Sequence, residues 1–255
     1  MNPVQKKGGR MMLKTYQEEF ILRTCNCDFQ GTWRPSAILE TMQEAAGAHS
    51  HLLGCGRDAL LKKNTVWVLT RSEVQMQAYP RILDRVIVET FPMPNRRWFF
   101  PRYYLFKNEE GKILGHAGTL WALLDINTRK MLPPGDVAAL IPDNSDLIAP
   151  MGLPATVDAV DGAEKMIHRL PCYTDLDVNQ HVNNTRYADW ACDALGIDTM
   201  RENCLESMII NYNAEILPNQ EITLHASRSG NFYRVAGYYE DKLHFELGGK
   251  LMPRK

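Results

Sequence analysis

The segment Thr174-Asp175-Leu176-Asp177-Val178-Asn179-Gln180-His181-Val182-Asn183-Asn184 sets a carboxylate, an amide and an imidazole at alternate positions just ahead of a helical stretch. In extended backbone alternate side chains point the same way, so Asp177, Asn179 and His181 are expected to line one wall. Asn183 or Asn184 suits the N-cap of the helix behind them. The free amides at residues 183–186 would then lie beside that wall, where they suit a developing oxyanion. Each residue also has a plainer reading, since Asp and Asn form turns and a histidine before a helix often caps or packs.

A helix is predicted from about Pro35 to Leu53, with Ile38, Met42, Ala45, Ala46, His49 and Leu52/Leu53 on one stripe and Glu40 and Glu44 off it. A strand near Thr15–Cys25 precedes it. Strands follow at Thr65–Gln77, Asp84–Phe91, Arg97–Phe106 and Ile113–Asp125, rich in Val, Trp, Tyr, Phe and Leu and parted by turns such as Lys107-Asn108-Glu109-Glu110-Gly111. One helix with a run of antiparallel strands is an α+β unit. Pro133-Pro134-Gly135 and the stretch from Pro142 to Pro150 read as a connector, which sets a boundary near residue 145. Beyond it the order restarts: a strand near Glu164–Tyr173, a helix from about Asn184 to Leu195, then strands near Ser207–Leu217, Glu221–Ala226, Phe232–Tyr239 and Leu243–Leu251.

The second half therefore repeats the first. Setting Asp28 on Asp177 aligns Ala45 with Ala194 and Gly47 with Gly196, while Glu40 and Glu44 face Asp189 and Asp193. The same loop then leads into the same helix type in both halves, and duplication is the economical explanation. Where the C-terminal copy has Asn179 and His181 the N-terminal copy has Gln30 and Thr32, so the groups able to do chemistry are expected in the C-terminal copy alone.

Composition narrows the class. Of 255 residues, 45% are hydrophobic and 23% charged, enough to bury a full-sized core, which excludes a disordered or fibrous chain. A net charge of -1 supplies no global field for nucleic acid or an anionic membrane. No apolar run approaches the ~20 residues of a membrane span, and the start MNPVQKKGGR lacks the apolar core of a secretory signal. Residues 1–11 read as a flexible lead. Cys25, Cys27, Cys55, Cys172, Cys192 and Cys204 are too sparse for a disulfide scaffold and form no CxxC pair, so reduced thiols in the cytoplasm are expected. His49 and His51, two apart on a helix, cannot chelate a metal from one face. Neither metal nor cofactor is expected.

The string DLDVNQHVNNTRYADW closely resembles the active-site segment of the acyl-acyl-carrier-protein thioesterases of plant plastids and some bacteria. NRRWFFPRYY from Asn95 and LWALLDINTRK from Leu120 resemble that family's NGMRRDW and VWVMMNKLTRR strands, and Asn211-Tyr212-Asn213-Ala214-Glu215 resembles its EYRRE stretch. The resemblance covers about residues 12–250. It implies two tandem hotdog units, each a long helix wrapped by an antiparallel sheet: 12–145 with the acyl-chain pocket and a degenerate site, and 146–255 with the catalytic residues. It further implies a catalytic set of Asp177, Asn179, His181 and Glu215, acyl carrier protein as the partner that presents the thioester, and release of free fatty acid. With Pro80 set against Pro218, Gln77 falls opposite Glu215, so the first copy again lacks the ionisable group.

Two departures matter. Plant members carry a cysteine directly after the glutamate, whereas Ile216 stands here, which favours attack by water with Glu215 as base, desolvated by Ile216 and Leu217. The long import sequences of the plant enzymes are absent, which points to a bacterial member. Arg96, Arg97, Arg102 and Lys107 interleave with aromatic residues, a pattern also found in single-strand nucleic-acid binders. Half of a strand faces the core, however, and the exposed basic residues, with Arg71, Arg81 and Arg85, are read instead as docking an acidic carrier. An acyl-CoA thioesterase and a non-catalytic acyl-thioester-binding hotdog protein are the rivals, and a homodimer is left open.

Overall fold

The structure, a computed structural model, describes residues 4–7 and 10–254, with the backbone alone at 4–7, 10, 11 and 163. The chain opens with β1 (Val4–Lys7) and β2 (Arg10–Leu13), which pair antiparallel. Much of the expected flexible lead is thus a hairpin. Residues 1–3, 8 and 9 of that lead lie outside the described residues.

The first repeat comprises β3 (Tyr16–Ile21), helices α1 (Pro35–Leu53) and α2 (Arg57–Leu61), and strands β4 (Thr65–Met76), β5 (Arg85–Pro92), β6 (Phe99–Asn108), β7 (Ile113–Asp125) and β8 (Met131–Leu132). A short helix α3 (Val137–Leu140) leads into the connector. The second repeat comprises β9 (Ala163–Arg169), helices α4 (Arg186–Leu195) and α5 (Ile197–Glu202), and strands β10 (Asn203–Leu205), β11 (Ser207–Tyr212), β12 (Ile222–Ser229), β13 (Phe232–Tyr239) and β14 (Lys242–Pro253). Among the described residues one antiparallel sheet runs β3-β5-β6-β7-β4-β11-β14-β13-β12-β9, with β8 beside β7 and β10 beside β14. Numbering the main strands of each half by chain order gives 1-3-4-5-2 in both. The halves join where β4 pairs with β11, from Ser207 opposite Gln75 to Asn211 opposite Arg71.

Sequence chemistry accounts for the two long helices. Pro35 occupies the first turn of α1, where its missing N–H costs nothing, and Gly54 ends the helix at φ 82. Ile38, Met42, Ala45, Ala46, His49 and Leu53 form its buried face. In α4 that face is Tyr187, Ala188, Trp190, Ala191 and Ala194. Trp33 and Trp190 are fully buried, and Trp33 meets Phe106 edge-on at 5.4 Å. Such side chains each contribute about 2–3 kcal/mol by leaving water.

Two boundaries that shape the site differ from expectation. Helix α4 starts at Arg186, because Asn183 Oδ1 accepts from Thr185 N and Oγ1 (both 3.1 Å) and closes a turn first. Strand β11 stops at Tyr212, because the amides of Asn213 and Ala214 both donate to the His244 carbonyl (2.9 and 3.0 Å) and form a bulge. The same bulge occurs in the first repeat, where Gln77 and Ala78 both donate to Leu114 O. Gln77 is therefore the counterpart of Asn213, and Tyr79 is the counterpart of Glu215. The placement of Gln77 opposite Glu215 is corrected by two residues, since matching the prolines miscounts the loop that follows. Tyr79 donates its hydroxyl to Leu205 O at 2.8 Å, so the first copy has no carboxylate here.

Candidate active site

The two predicted loops share one geometry. Asp177 N donates to His181 O (3.0 Å) and Gln180 N to Asp177 O (3.0 Å), as Asp28 N does to Thr32 O and Gly31 N to Asp28 O (both 2.9 Å). Gly31 at φ 74 and Gln180 at φ 65 take the same left-handed position, which glycine adopts without strain and glutamine does not. The loop is therefore a tight turn and not the extended segment expected. Asp177 Oδ1 accepts from Asn179 N at 2.8 Å and its Oδ2 from Asn179 Nδ2 at 3.1 Å. The carboxylate thus fixes the Asn179 amide, with one of its N–H bonds left over. His181 Nδ1 lies 3.3 Å from Val182 O and 3.7 Å from Asp177 Oδ1, which orients the ring with Nε2 away from both.

Glu215 reaches this loop through the backbone. Val182 N donates to Ile216 O at 2.8 Å, so the residues after His181 and after Glu215 are hydrogen-bonded neighbours. His244 Nδ1 sits 2.9 Å from Glu215 O and holds the preceding carbonyl. Burial lowers the His244 pKa, so a neutral ring donates this bond. The Glu215 carboxylate accepts from Arg129 Nη2 at 2.5 Å, across the junction of the repeats. Its side chain is 39% exposed, so the expected desolvation by Ile216 and Leu217 fails: the bulge turns the carboxylate out of the apolar layer and toward Arg129.

The expected oxyanion amides at 183–186 also need correction. Asn183 N donates to Asp175 O (2.8 Å), Thr185 N to Asn183 Oδ1, and Arg186 N to Asn183 O (2.9 Å). Those three amides are spent on the protein itself, whereas Asn184, Asn179 and His181 line the cavity and can face a carbonyl oxygen.

Asp177, Asn179, His181 and Glu215 all line one cavity of about 820 Å³. It extends under β4 along Val66–Leu69, past Trp121 and Phe100, to the Gln43, Ala46, Gly47 and Ser50 face of α1. A polar end in the second repeat is thus continuous with a largely apolar volume in the first. Sequence reasoning missed two cavity-lining groups. Tyr187, on the first turn of α4, has its phenol pKa raised by burial and by nearby Tyr212, Glu215 and Asp177. Arg129, held at φ 58 in the turn that Asp125 closes, lines the mouth. The signal for Arg129 was its place in LWALLDINTRK, but a strand motif does not show how far a turn residue reaches.

The basic residues read as a docking face divide. Arg96 and Arg97 are exposed, whereas Arg102 is buried, Arg71 donates to Pro154 O at 3.0 Å, Lys107 pairs with Glu89 at 2.6 Å and Arg85 pairs with Glu19. No helix among the described residues is long and apolar enough to cross a membrane, and no cluster of three His, Cys, Asp or Glu among them could hold a metal ion.

Comparison with known proteins places this geometry. Residues 13–138 match the acyl-ACP thioesterase N-terminal domain and residues 161–247 the acyl-ACP thioesterase C-terminal domain. A chloroplastic palmitoyl-acyl carrier protein thioesterase of Gossypium hirsutum is 29% identical over 213 residues, 78% of this chain and 52% of that protein. A chloroplastic oleoyl-acyl carrier protein thioesterase of Coriandrum sativum is 24% identical, over 79% of this chain and 59% of its own. The chain spans about half the length of these curated relatives. In fold it superposes on an acyl-ACP thioesterase from Bacteroides thetaiotaomicron (TM-score 0.83, 23% identity, 94% of this chain and 98% of that one). It also superposes on the 12:0-ACP thioesterase of Umbellularia californica (TM-score 0.78, 20% identity, 94% and 98%). The tandem hotdog architecture is thereby established, and the chain belongs to the acyl-ACP thioesterase family.

Proposed function

We propose that the protein hydrolyses the thioester of fatty acyl-acyl carrier protein, releases the free fatty acid and so ends chain elongation. The observation that carries this reading is the meeting, in one cavity, of four polar side chains from the second repeat with an apolar volume from the first. Residues 12–145 hold the acyl chain and residues 146–255 supply the chemistry.

In the proposed reaction Glu215 takes a proton from water as the oxygen attacks the thioester carbonyl. The tetrahedral oxyanion is met by Asn179 Nδ2, which Asp177 aims, and by the His181 ring; one such donor is typically worth about 3 kcal/mol. Collapse breaks the carbon–sulfur bond, and the departing thiolate recovers the proton from Glu215. No cofactor or metal takes part. Six free cysteines suit a reducing compartment, and the reading keeps the bacterial, cytoplasmic setting.

The test is free-acid release from matched acyl-carrier-protein and acyl-CoA series by wild type, Glu215→Gln and Glu215→Ala. Hydrolysis that favours the carrier-protein series and is lost in both variants is expected. Preference for CoA esters would reassign the carrier, near-normal turnover by Glu215→Gln would remove the base, and no hydrolysis by folded wild type would leave an acyl-thioester-binding protein.

A further inference from the structure

The apolar part of the cavity contains a cation. Arg102 is 5% exposed, lines the cavity wall, and makes all its side-chain hydrogen bonds to neutral groups. Its Nη1 donates to His49 Nδ1 and Thr90 Oγ1 (both 3.2 Å) and its Nη2 to Ser50 Oγ (3.3 Å). His49 is itself neutral: its Nε2 faces Leu13 O at 3.0 Å, and burial with the adjacent guanidinium lowers its pKa to about 3. Among the described residues no carboxylate lies within ion-pair distance of Arg102. A guanidinium has five N–H donors, and this network engages it with three neutral acceptors, so it keeps capacity for a further acceptor and has no counter-charge among the described residues.

The fold does not demand a cation there. By register, Arg102 opposite Thr119 in the first repeat corresponds to Tyr233 opposite Gly249 in the second. Tyr233 is fully buried and satisfies its hydroxyl on Ser207 O at 2.9 Å. The same place in the duplicated architecture is therefore filled by a neutral aromatic side chain. Position within the cavity follows from strand order: Arg102 on β6, Thr119 on β7, Ser72 on β4 and Ile210 on β11 are successive partners. Three spacings, roughly 14 Å, separate the guanidinium strand from the strand that leads to Glu215. The cavity wall between them carries Trp121, Leu69 and Phe100. Gly47 opens the opposing helix face, since a Cβ there would meet nothing within 4 Å.

We propose that Arg102, with Ser50, forms a tail-recognition site, so that the cavity takes acyl chains whose distal end bears an oxygen acceptor, a hydroxyl or a carboxylate. Such a tail supplies what the guanidinium lacks, and a carboxylate supplies it best. The inference rests on the acyl-thioesterase reading for the direction of the chain, thioester at Glu215 and tail at Arg102. It concerns the class of chain and not the hydrolysis.

The test is calorimetric binding of three free acids of equal length to the wild-type protein, a plain fatty acid, its ω-hydroxy derivative and the α,ω-dicarboxylic acid, alongside hydrolysis of the corresponding carrier-protein thioesters. Both oxygenated acids are expected to bind about tenfold or more tightly than the plain one, the worth of a hydrogen bond to a charged group. Arg102→Met is expected to erase the preference, and Arg102→Lys to retain it for the diacid alone. Equal or tighter binding of the plain acid by wild type overturns the proposal whether or not the variants fold, as does a preference that survives Arg102→Met. If none of the carrier-protein thioesters is cleaved while the free acids still bind in the expected order, hydrolysis is refuted and the tail site stands.

Discussion

Arg129 of the first repeat donates to Glu215 of the second at 2.5 Å, so the candidate base is held by a cation that its own repeat does not supply. Both side chains are open to solvent, at 60% and 39% exposure, and such a pair adds little stability. Its consequence is positional: the turn closed by Asp125 sets where the carboxylate points.

Arg129→Gln is therefore expected to change the melting free energy by less than about 0.5 kcal/mol. It is expected to lower kcat about tenfold through misplacement of the base, with KM nearly constant. Arg129→Lys should recover part of the loss. Steady-state kinetics on acyl-carrier-protein substrate, with a melt of each variant, checks this, and an equal loss in KM would assign Arg129 to substrate binding.

The paired loops predict opposite outcomes for the same substitution. Asp177→Ala frees Asn179 and is expected to cut kcat by about a hundredfold, the scale of one lost oxyanion donor. Asp28 has a different partner, since Arg254 donates to its Oδ2 at 2.5 Å and to Thr32 Oγ1 at 2.6 Å, with the Asp28 and Arg254 side chains each 14% exposed. Asp28→Ala should cost about 2 kcal/mol of stability and leave kcat alone. Chemical denaturation together with turnover of both variants separates the two roles.

Stability should fall with acid through His49. Its folded pKa of about 3 lies below the ordinary 6.5, with Arg102 beside one ring nitrogen, Leu13 O at the other and the Tyr16 ring stacked at 5.9 Å. The unfolded chain takes up the proton first, so full stability holds above about pH 6.5. Below that it drops by up to about 1.4 kcal/mol per pH unit toward pH 3. His116 and His244, also lowered by burial, act in the same direction. Denaturation midpoints between pH 7 and 4 measure the slope, and His49→Gln should flatten it.

Two glycines give a steric contrast. A Cβ at Gly237 would sit 2.2 Å from Phe245 Cε1, and Phe245 stacks on Tyr187 at 4.2 Å, so Gly237→Ala pushes toward the cavity wall. A loss of about 2–3 kcal/mol is expected. At Gly47, inside α1, the new methyl meets open cavity, and Gly47→Ala should stabilise by about 0.5–1 kcal/mol while shortening the longest chain cleaved. Thermal melts and a chain-length profile read both effects.

Much of the fold was legible in residue order. Proline at one end and glycine after the other bound α1 at Pro35–Leu53, and β7 and β13 follow their apolar and aromatic residues as far as predicted. The duplicated loop was legible because Asp28 and Asp177 hold the same turn. What was not legible depends on backbone register and on reach. The shared bulge makes Tyr79, rather than Gln77, the counterpart of Glu215, and spacing alone does not reveal a bulge. Arg102 reads as one basic residue among several in its strand, and burial became visible only once α1 lay across it. The contact between Arg129 and Glu215 joins residues 86 apart, from the turn after β7 to the segment after β11, and no local pattern encodes it.

The joining of β4 to β11 has a consequence for how the molecule comes apart. Cutting the connector would leave two fragments, each with a long strand whose N–H and C=O groups face nothing, the edge through which sheets aggregate. Neither fragment is an autonomous folding unit on these terms, and the intact chain should melt in a single cooperative transition despite carrying two copies of one pattern. The duplication survives as symmetry, while independence was given up at the seam.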